Sequence, residues 1–295
     1  MSDFRPAGAR LADPKADDRE AAEGDSVIEI DRLTVHYNVE PVLDDVSLTI
    51  GAGTVAAIIG PNASGKTTLL ETMAGLISPI EGTVRVFGLP RRESVENELL
   101  IRRRVCYLPM APLGMDDLTV RKTWLAMAEL YGRDMRAAFE QVTRLAAAFD
   151  LTESLDADVA SLSTGQRRKV NIAAVLMTDA ELLLLDEPFS GGLDPAGIRA
   201  LKAILRHLSK SRGRMIVFTI PVPELVDGVV DQVIVIGGQG IIIDATPADV
   251  VARAGTARTL SDAIAQLAFP ENAATVAAYL DADNGQHESN RDGGR

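Results

Sequence analysis

The feature that most constrains this chain is a glycine-rich loop between two regular segments. Residues 60–67 have the sequence GPNASGKT, which matches the pattern G-x-x-x-x-G-K-[ST]. The apolar and partly β-branched residues 54–59 predict a buried strand before the loop, and residues 68–76 predict a helix after it. A strand, a tight loop and a helix in this order indicate an α/β fold with a phosphate-binding loop, the P-loop NTPase core.

The loop supplies groups that suit a nucleoside triphosphate. Gly60 and Gly65 permit backbone turns that a Cβ atom would block, so the loop N–H groups can converge on a β-phosphate. Lys66 offers a mobile cation for the β- and γ-phosphates, and Thr67 offers a hydroxyl to Mg²⁺. The simpler alternative is a glycine-rich turn with a surface lysine. The predicted binding residues are Gly60, Pro61, Asn62, Ala63, Ser64, Gly65, Lys66, Thr67 and Thr68.

A second motif joins an apolar strand to two acids. Residues 182–185 are four leucines, and Asp186 and Glu187 follow them. Parallel sheets place their chemistry at the carboxyl ends of buried strands. We therefore expect Asp186 to hold the Mg²⁺ that Thr67 also contacts, and Glu187 to polarise the water that attacks the γ-phosphate. The alternative is a strand that ends in a turn, with the acids as caps.

A third motif lies at the start of a predicted helix. Residues 161–166 have the sequence SLSTGQ and precede a helical pattern that continues to about residue 177. Ser163 is a typical N-cap residue, whose hydroxyl accepts a backbone N–H. The same helix start exposes free N–H groups and a partial positive charge, which suit a phosphate group. The two interpretations are compatible.

Composition limits the size of the fold and the partners. The chain has 295 residues, 46% of them hydrophobic, which is enough for one elaborate domain or two lobes. Its net charge is −12. A strongly acidic surface argues against nucleic acid as a partner and against direct docking to anionic lipid, because both need Lys and Arg.

Cysteine use and hydropathy indicate the compartment. The single cysteine, Cys106, cannot form an internal disulfide and fits a reducing environment. The first residues lack the apolar core of a signal peptide. No apolar run approaches the ~18 residues that a membrane span needs. We therefore expect a cytoplasmic protein that does not cross a membrane by itself.

Strand and helix patterns flank the loop. Strand-like runs between residues 27 and 50 predict an antiparallel β subdomain before the loop. Helical apolar spacing over residues 120–149 predicts an inserted helical subdomain. Tyr37 precedes the loop, and its ring either packs in the core or a hairpin or stacks on adenine.

Taken together, these motifs resemble those of the ATP-binding subunit of an ABC transporter over about residues 27–248. The loop matches Walker A, and residues 182–187 match Walker B with its catalytic glutamate. Residues 162–166 resemble the family signature, with Thr164 in place of the more usual glycine. The segment with Asp194 resembles the D-loop. The signature residues are Ser163, Thr164, Gly165 and Gln166.

The resemblance also implies roles and boundaries. Tyr37 falls where the family has its adenine-stacking aromatic residue, and residues 107–121 resemble the exporter-like branch often called ABC-2. The expected organisation is a disordered acidic tail (1–25), the ATP-binding domain (26–248) with a helical subdomain (about 93–165), a C-terminal helical extension (249–280) and a disordered tail (281–295).

The family resemblance implies a mechanism and partners. Two ATP-binding subunits sandwich two ATP molecules head to tail, so that the signature of one subunit contacts the γ-phosphate held by the other. Their closure and opening move the helices of a separate integral membrane permease. The expected cofactors are ATP and Mg²⁺, and the expected location is the inner face of the cell membrane, where the permease holds the chain as a peripheral subunit.

Two positions depart from the family pattern. Met110 follows Pro109 where the family has a glutamine, and a thioether cannot coordinate Mg²⁺ or orient water as an amide can. Ile220 follows Thr219 where the family has a switch histidine, and none of the three histidines of the chain lies at that strand end. We expect tight ATP binding with slow hydrolysis, as in the impaired partner of a heterodimeric pair.

Two other functions remain open from the sequence. A soluble ABC-type regulator of translation or DNA repair usually carries two cassettes or a long coiled coil, and the chain has neither feature. A nucleotide-dependent scaffold would bind ATP without hydrolysing it. Co-purification of a membrane protein distinguishes the transporter from the regulator, and the effect of changing Glu187 distinguishes it from the scaffold.

Overall fold

The computed structural model describes residues 26–37 and 39–269. The two tails predicted to be disordered and residues 270–280 of the predicted extension lie outside these residues. The strands are β1 (Ser26–His36), β2 (Pro41–Gly51), β3 (Val55–Ile59), β4 (Glu81–Val86), β5 (Leu89–Pro90), β6 (Val105–Leu108), β7 (Leu182–Leu185), β8 (Met215–Ile220), β9 (Gln232–Gly237) and β10 (Gly240–Ala245). The helices are α1 (Lys66–Ala74), α2 (Val95–Arg104), α3 (Val120–Leu130), α4 (Met135–Phe149), α5 (Thr164–Leu176), α6 (Pro195–Arg212), α7 (Pro247–Ala254) and α8 (Leu260–Ala268).

The larger sheet has six strands in the order β10-β9-β3-β8-β7-β6. All neighbouring pairs from β9 to β6 are parallel, and β10 closes the sheet with an antiparallel hairpin. Strands β3, β7 and β8 are buried along their whole length, which explains their continuous apolar sequences. The sheet is thus the parallel core that the sequence predicts.

The smaller sheet is antiparallel, in the order β2-β1-β4-β5. Strands β1 and β2 are long and irregular, with left-handed residues at Arg32 (φ 49°) and Asp45 (φ 50°) where the pairing register shifts. These bulges strengthen the twist of the hairpin. The predicted antiparallel β subdomain is confirmed.

Two apolar clusters cover the two faces of the six-stranded sheet, because consecutive strand residues point to opposite faces. One cluster joins the sheet to α1 and to the smaller sheet; it contains Ile58, Leu182, Leu184 and Val217. The other joins the opposite face to helices α3 to α8 and contains Leu183, Leu185, Phe218 and Ile220. Burial of one such side chain contributes about 1.5–3 kcal/mol, so both clusters are needed to hold the sheet.

The helices α3 and α4 form an arm that packs on α5. The buried indole of Trp124 donates from Nε1 to the carbonyl oxygen of Val170 over 2.9 Å and fixes α3 on α5. The range predicted for the helical subdomain, about 93–165, also contains β6, which pairs with β7 in the core sheet. In the part of the chain that the structure describes, no helix has the length and apolar character needed to cross a bilayer.

The carboxyl ends of four parallel strands meet at one edge of the large sheet. Strand β3 leads into the loop of residues 60–65, β6 leads to Met110, and β7 leads to Asp186 and Glu187. Strand β8, between β3 and β7, ends at Ile220. The topology therefore brings the loop and the two acids to the same place, as expected for this type of sheet.

The carboxylate of Asp179 links the helical arm to the core near the amino-terminal ends of β7 and β8. Asp179, in the turn before β7, forms an ion pair with Arg133 Nε at 2.7 Å and another with Arg214. Both guanidinium groups are almost completely buried, whereas the carboxylate is half exposed. Arg133 follows α3 in the arm and Arg214 precedes β8 in the core, so Asp179 links the two regions.

We expect Asp179→Ala to lower the free energy of unfolding by about 1–3 kcal/mol, because it leaves two buried guanidinium groups without their carboxylate. Chemical denaturation of the purified chain measures the change. Asp156→Ala is the control, since Asp156 pairs with Arg121 on the exposed surface and its loss should leave the unfolding midpoint unchanged. Equal effects of the two substitutions would contradict the proposed link.

Candidate functional site

The glycine-rich loop is shaped by positions that have no room for a side chain. A Cβ atom on Gly60 would lie 2.5 Å from the carbonyl oxygen of Ile236 and 2.7 Å from Ser64 Oγ. Gly65 has φ 97°, in the left-handed region, and forms the N-cap of α1. No side chain caps α1, so its first N–H groups remain directed at the loop.

Lys66 lies inside the loop rather than on the surface. Its Nζ donates to the carbonyl oxygens of Gly60 at 2.9 Å and Pro61 at 2.7 Å, and the side chain is almost fully buried. Burial lowers the pKa of Lys66, and the nearby carboxylates of Glu187 and Asp186 oppose that shift. The alternative of a turn with a surface lysine is therefore wrong.

Asp186 connects the loop helix to the core strands. Thr67, in the first turn of α1, donates from Oγ1 to both carboxylate oxygens of Asp186 over 3.1 Å. Thr219, in β8, donates from Oγ1 to Asp186 Oδ1 over 2.6 Å. The structure therefore brings together Thr67 and Asp186, the two residues that the sequence predicts as metal ligands, and it adds a second hydroxyl, that of Thr219, beside them.

Glu187 adopts a backbone conformation that is rare for its residue type. Its φ is 45°, which ends strand β7 abruptly. Its N–H donates to Thr219 Oγ1 over 2.8 Å, and Ser190 Oγ donates to Glu187 Oε2 over 3.0 Å. Hydrogen bonds therefore fix both the backbone and the carboxylate of Glu187. The side chain is not an unattached acid at the end of a surface turn.

Arg168 was not predicted from the sequence, yet it contacts several parts of the site. This buried side chain of α5 donates from Nη2 to the carbonyl oxygens of Asp186 (2.7 Å) and Glu187 (2.8 Å). From Nη1 it donates to Pro109 (3.2 Å) and Met110 (3.4 Å). Burial lowers the pKa of Arg168, while the two acids raise it. The guanidinium therefore joins α5 to the ends of β6 and β7.

The start of α5 has the N-cap predicted at Ser163. Ser163 Oγ accepts from the N–H of Gln166 over 3.3 Å, and Gln166 Oε1 accepts from the N–H of Ser163 over 3.1 Å. Ser163 and Thr164 are exposed. A Cβ atom on Gly165 would lie 2.5 Å from the carbonyl oxygen of Gly192, so the helix start packs closely against the turn that precedes α6.

The predicted signature residues and the phosphate loop are separate in this chain. Among the residues that the structure describes, no hydrogen bond joins residues 163–166 to residues 60–67. At the start of α5, Ser163 and Thr164 instead face solvent.

Asp194 has two structural contacts. Its Oδ1 accepts from the N–H of Gly197 over 2.8 Å, which caps α6, and its carboxylate pairs with Lys169 of α5 at 3.1 Å. The Gly197 N–H and the Lys169 ammonium lower the pKa of Asp194. The residue predicted for the D-loop therefore joins the starts of α5 and α6.

Tyr37 lies beside the loop helix. Its ring is 59% exposed, and its hydroxyl lies 3.3 Å from Thr68 Oγ1. Of the alternatives given for this ring, packing in the core is therefore wrong, because a core side chain would be buried.

Met110 and Ile220, the two residues that depart from the family pattern, differ in their surroundings. Met110 is 61% exposed after the end of β6, whereas Ile220 is 1% exposed and belongs to the core cluster on the face away from α1. Thr219 precedes it and points to the opposite face, toward Asp186. No histidine of the described residues occupies either strand end.

Sequence reasoning missed three side chains that hold the site: Arg168, Ser190 and Thr219. The signal for Thr219 is a single hydroxyl near the end of the otherwise apolar sequence MIVFTI. The signal for Arg168 is its place among buried residues of α5, where an arginine needs acceptors. Ser190 follows Glu187 by three residues, a spacing that a turn brings into contact.

Comparisons with known proteins agree on one family. Residues 43–190 match the ABC transporter family. The chain is 32% identical to the zinc transport system ATP-binding protein TroB of Treponema pallidum over 237 residues, covering 77% of this chain and 86% of the relative. It is 31% identical to the Nod factor export ATP-binding protein I of Sinorhizobium fredii, covering 77% of this chain and 64% of the relative.

A solved ATP-binding subunit of an ABC transporter superimposes with a TM-score of 0.74 at 26% identity, covering 82% of this chain and 99% of the other. The sequence and structural similarities agree with the loop, strand and acid arrangement described above. The chain therefore belongs to the ABC transporter family and is an ATP-binding subunit with ATPase activity, of the kind that dimerises and works with membrane permease components.

Proposed function

We propose that this chain is one of two ATP-binding subunits of an export complex, and that its own ATP site hydrolyses slowly. One observation carries the proposal. The site keeps Lys66, Thr67, Asp186 and Glu187 together, while the end of β8 directs Ile220 into the core. The residues that bind ATP and the acid Glu187 are thus present. Among the described residues, however, the end of β8 carries Ile220, which cannot make a polar contact to the γ-phosphate.

The loop fits the triphosphate of ATP. Ser64 Oγ is buried and has no hydrogen-bond partner among the residues that the structure describes, so it can donate to a phosphate oxygen. Lys66 donates to two loop carbonyls, and the same ammonium can turn to the β- and γ-phosphates. The free N–H groups at the start of α1 add a positive potential. Pro61, Asn62 and Ala63 shape the loop, and the exposed ring of Tyr37 suits stacking on adenine.

The donor set beside the loop fits Mg²⁺. Thr67 and Asp186 present a hydroxyl and a carboxylate to each other within 3.1 Å, and oxygen ligands of this type suit this hard cation. Bound Mg²⁺ would neutralise part of the negative charge of the triphosphate. Thr67 and Asp186 would hold it, and Glu187 follows Asp186 directly, so that its carboxylate can orient the attacking water.

The exposed start of α5 supports dimerisation across ATP. Among the described residues, Ser163, Thr164 and Gly165 make no hydrogen bond to the loop of their own chain. The N–H groups of Thr164 and Gly165 and the Ser163 hydroxyl can therefore face a γ-phosphate held by another subunit, while the Ser163 N–H is engaged by Gln166. Gln166 keeps Ser163 in the capping geometry, and Asp194 holds the neighbouring turn. Because ADP lacks the γ-phosphate, hydrolysis would release this contact.

Exposed apolar residues support docking to a permease. Large apolar side chains on α2 and in the turn after α1 are open to solvent: Leu76, Ile80, Val95, Leu99 and Leu100. Apolar residues on a soluble surface are typical of protein interfaces. Such docking would keep the chain on the inner face of the cell membrane. Export is supported by residues 107–121 and by the relative named for Nod factor export.

Slow hydrolysis is supported by Met110 and Ile220. Neither a thioether nor a buried alkyl group can orient water or donate to phosphate. Loss of one such group typically costs about 2.7–4 kcal/mol of transition-state stabilisation, or 10²–10³ in rate. A partner subunit with both polar groups would then supply most of the turnover, aided by the signature of this chain.

The first test concerns the shape of the loop. We expect Gly60→Ala to weaken ATP binding at least tenfold, because the new methyl group would displace either the backbone at Ile236 or Ser64. Titration calorimetry with ATP and Mg²⁺ measures the change. Gly240→Ala is the matched control, since a Cβ atom on Gly240 would have no other atom within 4 Å. ATP affinity unchanged by Gly60→Ala would contradict the binding site.

The second test concerns Glu187. We expect Glu187→Gln to lower the single-turnover rate about 10²-fold or more while ATP still binds, because the amide cannot accept a proton from water. Quenched-flow or manual-quench assays with excess enzyme measure the rate. An unchanged rate would contradict the role of Glu187 in hydrolysis. A purified homodimer that turns over at about 10 s⁻¹, the median for enzymes, would contradict slow hydrolysis.

The third test compares the effects of Met110 and Ile220 on the rate of hydrolysis. We expect Met110→Gln to raise the single-turnover rate about tenfold, because the exposed end of β6 can present an amide to the site. Ile220→His should not raise it and should destabilise the fold, because the imidazole would enter the core. Leu130→Gln, an exposed apolar residue on α3, is the control for Met110→Gln and should leave the rate unchanged.

A further inference from the structure

Thr219 connects the two acids of the site through a single hydroxyl. It is fully buried in β8, where every other residue is apolar. Its Oγ1 donates to Asp186 Oδ1 over 2.6 Å and accepts from the Glu187 N–H over 2.8 Å. A hydroxyl has one hydrogen and two lone pairs, so it can make both bonds at once.

The bond to the Glu187 N–H replaces a bond of the sheet. Strands β7 and β8 pair as far as Leu185 and Phe218. Beyond that point Glu187 turns into the left-handed region, and its N–H meets the Thr219 side chain instead of a backbone carbonyl. The hydroxyl thus stabilises the turn that directs the Glu187 side chain out of the strand direction.

Two other buried threonines have different contacts. Thr178 Oγ1 donates to the carbonyl oxygen of Val175, and Thr72 Oγ1 donates to that of Thr68, so each satisfies its own local backbone. Thr219 instead contacts a carboxylate and a backbone N–H of a neighbouring strand. Its two side-chain hydrogen bonds therefore hold Asp186 and Glu187 and do not satisfy the backbone of β8.

We propose that Thr219 is a positioning residue for ATP hydrolysis, which fixes the carboxylate of Asp186 and the backbone of Glu187 relative to each other. The metal-binding acid and the acid that orients water then keep one geometry, even though β8 provides no histidine. The inference rests on the proposed roles of Asp186 and Glu187.

The test compares variants of Thr219. Thr219→Val has nearly the same shape but no hydroxyl, and it leaves the Glu187 N–H without its acceptor. We expect its single-turnover rate to fall at least tenfold, with the ATP concentration for half-maximal rate changed less than threefold. Thr219→Ser restores the hydroxyl and should return the rate to within threefold of the wild type. Thr219→Ala, which adds no bulk, is measured in parallel in case the valine variant does not fold.

Thr178→Val is the matched control, since Thr178 is equally buried and also donates one hydrogen bond, outside the site. It should lower the unfolding temperature but leave the rate within threefold. A tenfold loss in Thr178→Val as well would assign the effect to general destabilisation and overturn the proposal. A serine variant as slow as the valine variant would overturn it too, because the methyl group would then be the important part.

A second readout does not depend on turnover. Mn²⁺ replaces Mg²⁺ in a titration of the ATP-loaded chain, followed by electron paramagnetic resonance. We expect Thr219→Val and Thr219→Ala to bind Mn²⁺ at least threefold more weakly, and Thr178→Val to bind it as the wild type does. Equal Mn²⁺ affinity in all variants would overturn the proposal. A wild type that turns over at about 10 s⁻¹ would remove slow hydrolysis from the proposed function, and the variant comparison with Mn²⁺ would still decide the role of Thr219.

Discussion

The hydrogen bonds around the Asp186 carboxylate hold the site together. Thr67 reaches it from the loop helix and Thr219 from the central strand β8, so one buried acid joins three elements that are far apart in sequence. A buried carboxylate without such donors would be costly, which means that loop, strands and acid must be assembled together. The order of the parallel strands makes this possible, because β3, β8 and β7 are neighbours and all end at the same edge.

The parts of the fold and of the site that meet at this edge could be predicted from the sequence where their signal is local. The pattern of residues 60–67 and the four leucines before Asp186 are local sequence signals. A strand followed by a loop or by an acid is enough to predict both the fold and the position of the two acids near the glycine-rich loop. Ser163 was also predictable, since a capping serine and a glutamine three residues later form a local pair.

What the sequence could not predict depends on contacts between distant segments. Arg168 and Thr219 have ordinary positions in a helix and a strand, and only the packing of α5 and β8 against β7 gives them their partners. The direction of Ile220 likewise follows from strand alternation once Thr219 faces Asp186. The core packing considered for Tyr37 was wrong because the hairpin between β1 and β2 holds the ring at the surface.

The guanidinium of Arg168 has a mechanical consequence. It makes four hydrogen bonds to the carbonyl oxygens that follow β6 and β7, and together these contribute about 2–6 kcal/mol. Because this one side chain joins α5 to the residues after both strands, α5 cannot be displaced from the sheet without changing the contacts of the Glu187 carbonyl group. The start of α5 and the backbone of the acid are therefore structurally coupled.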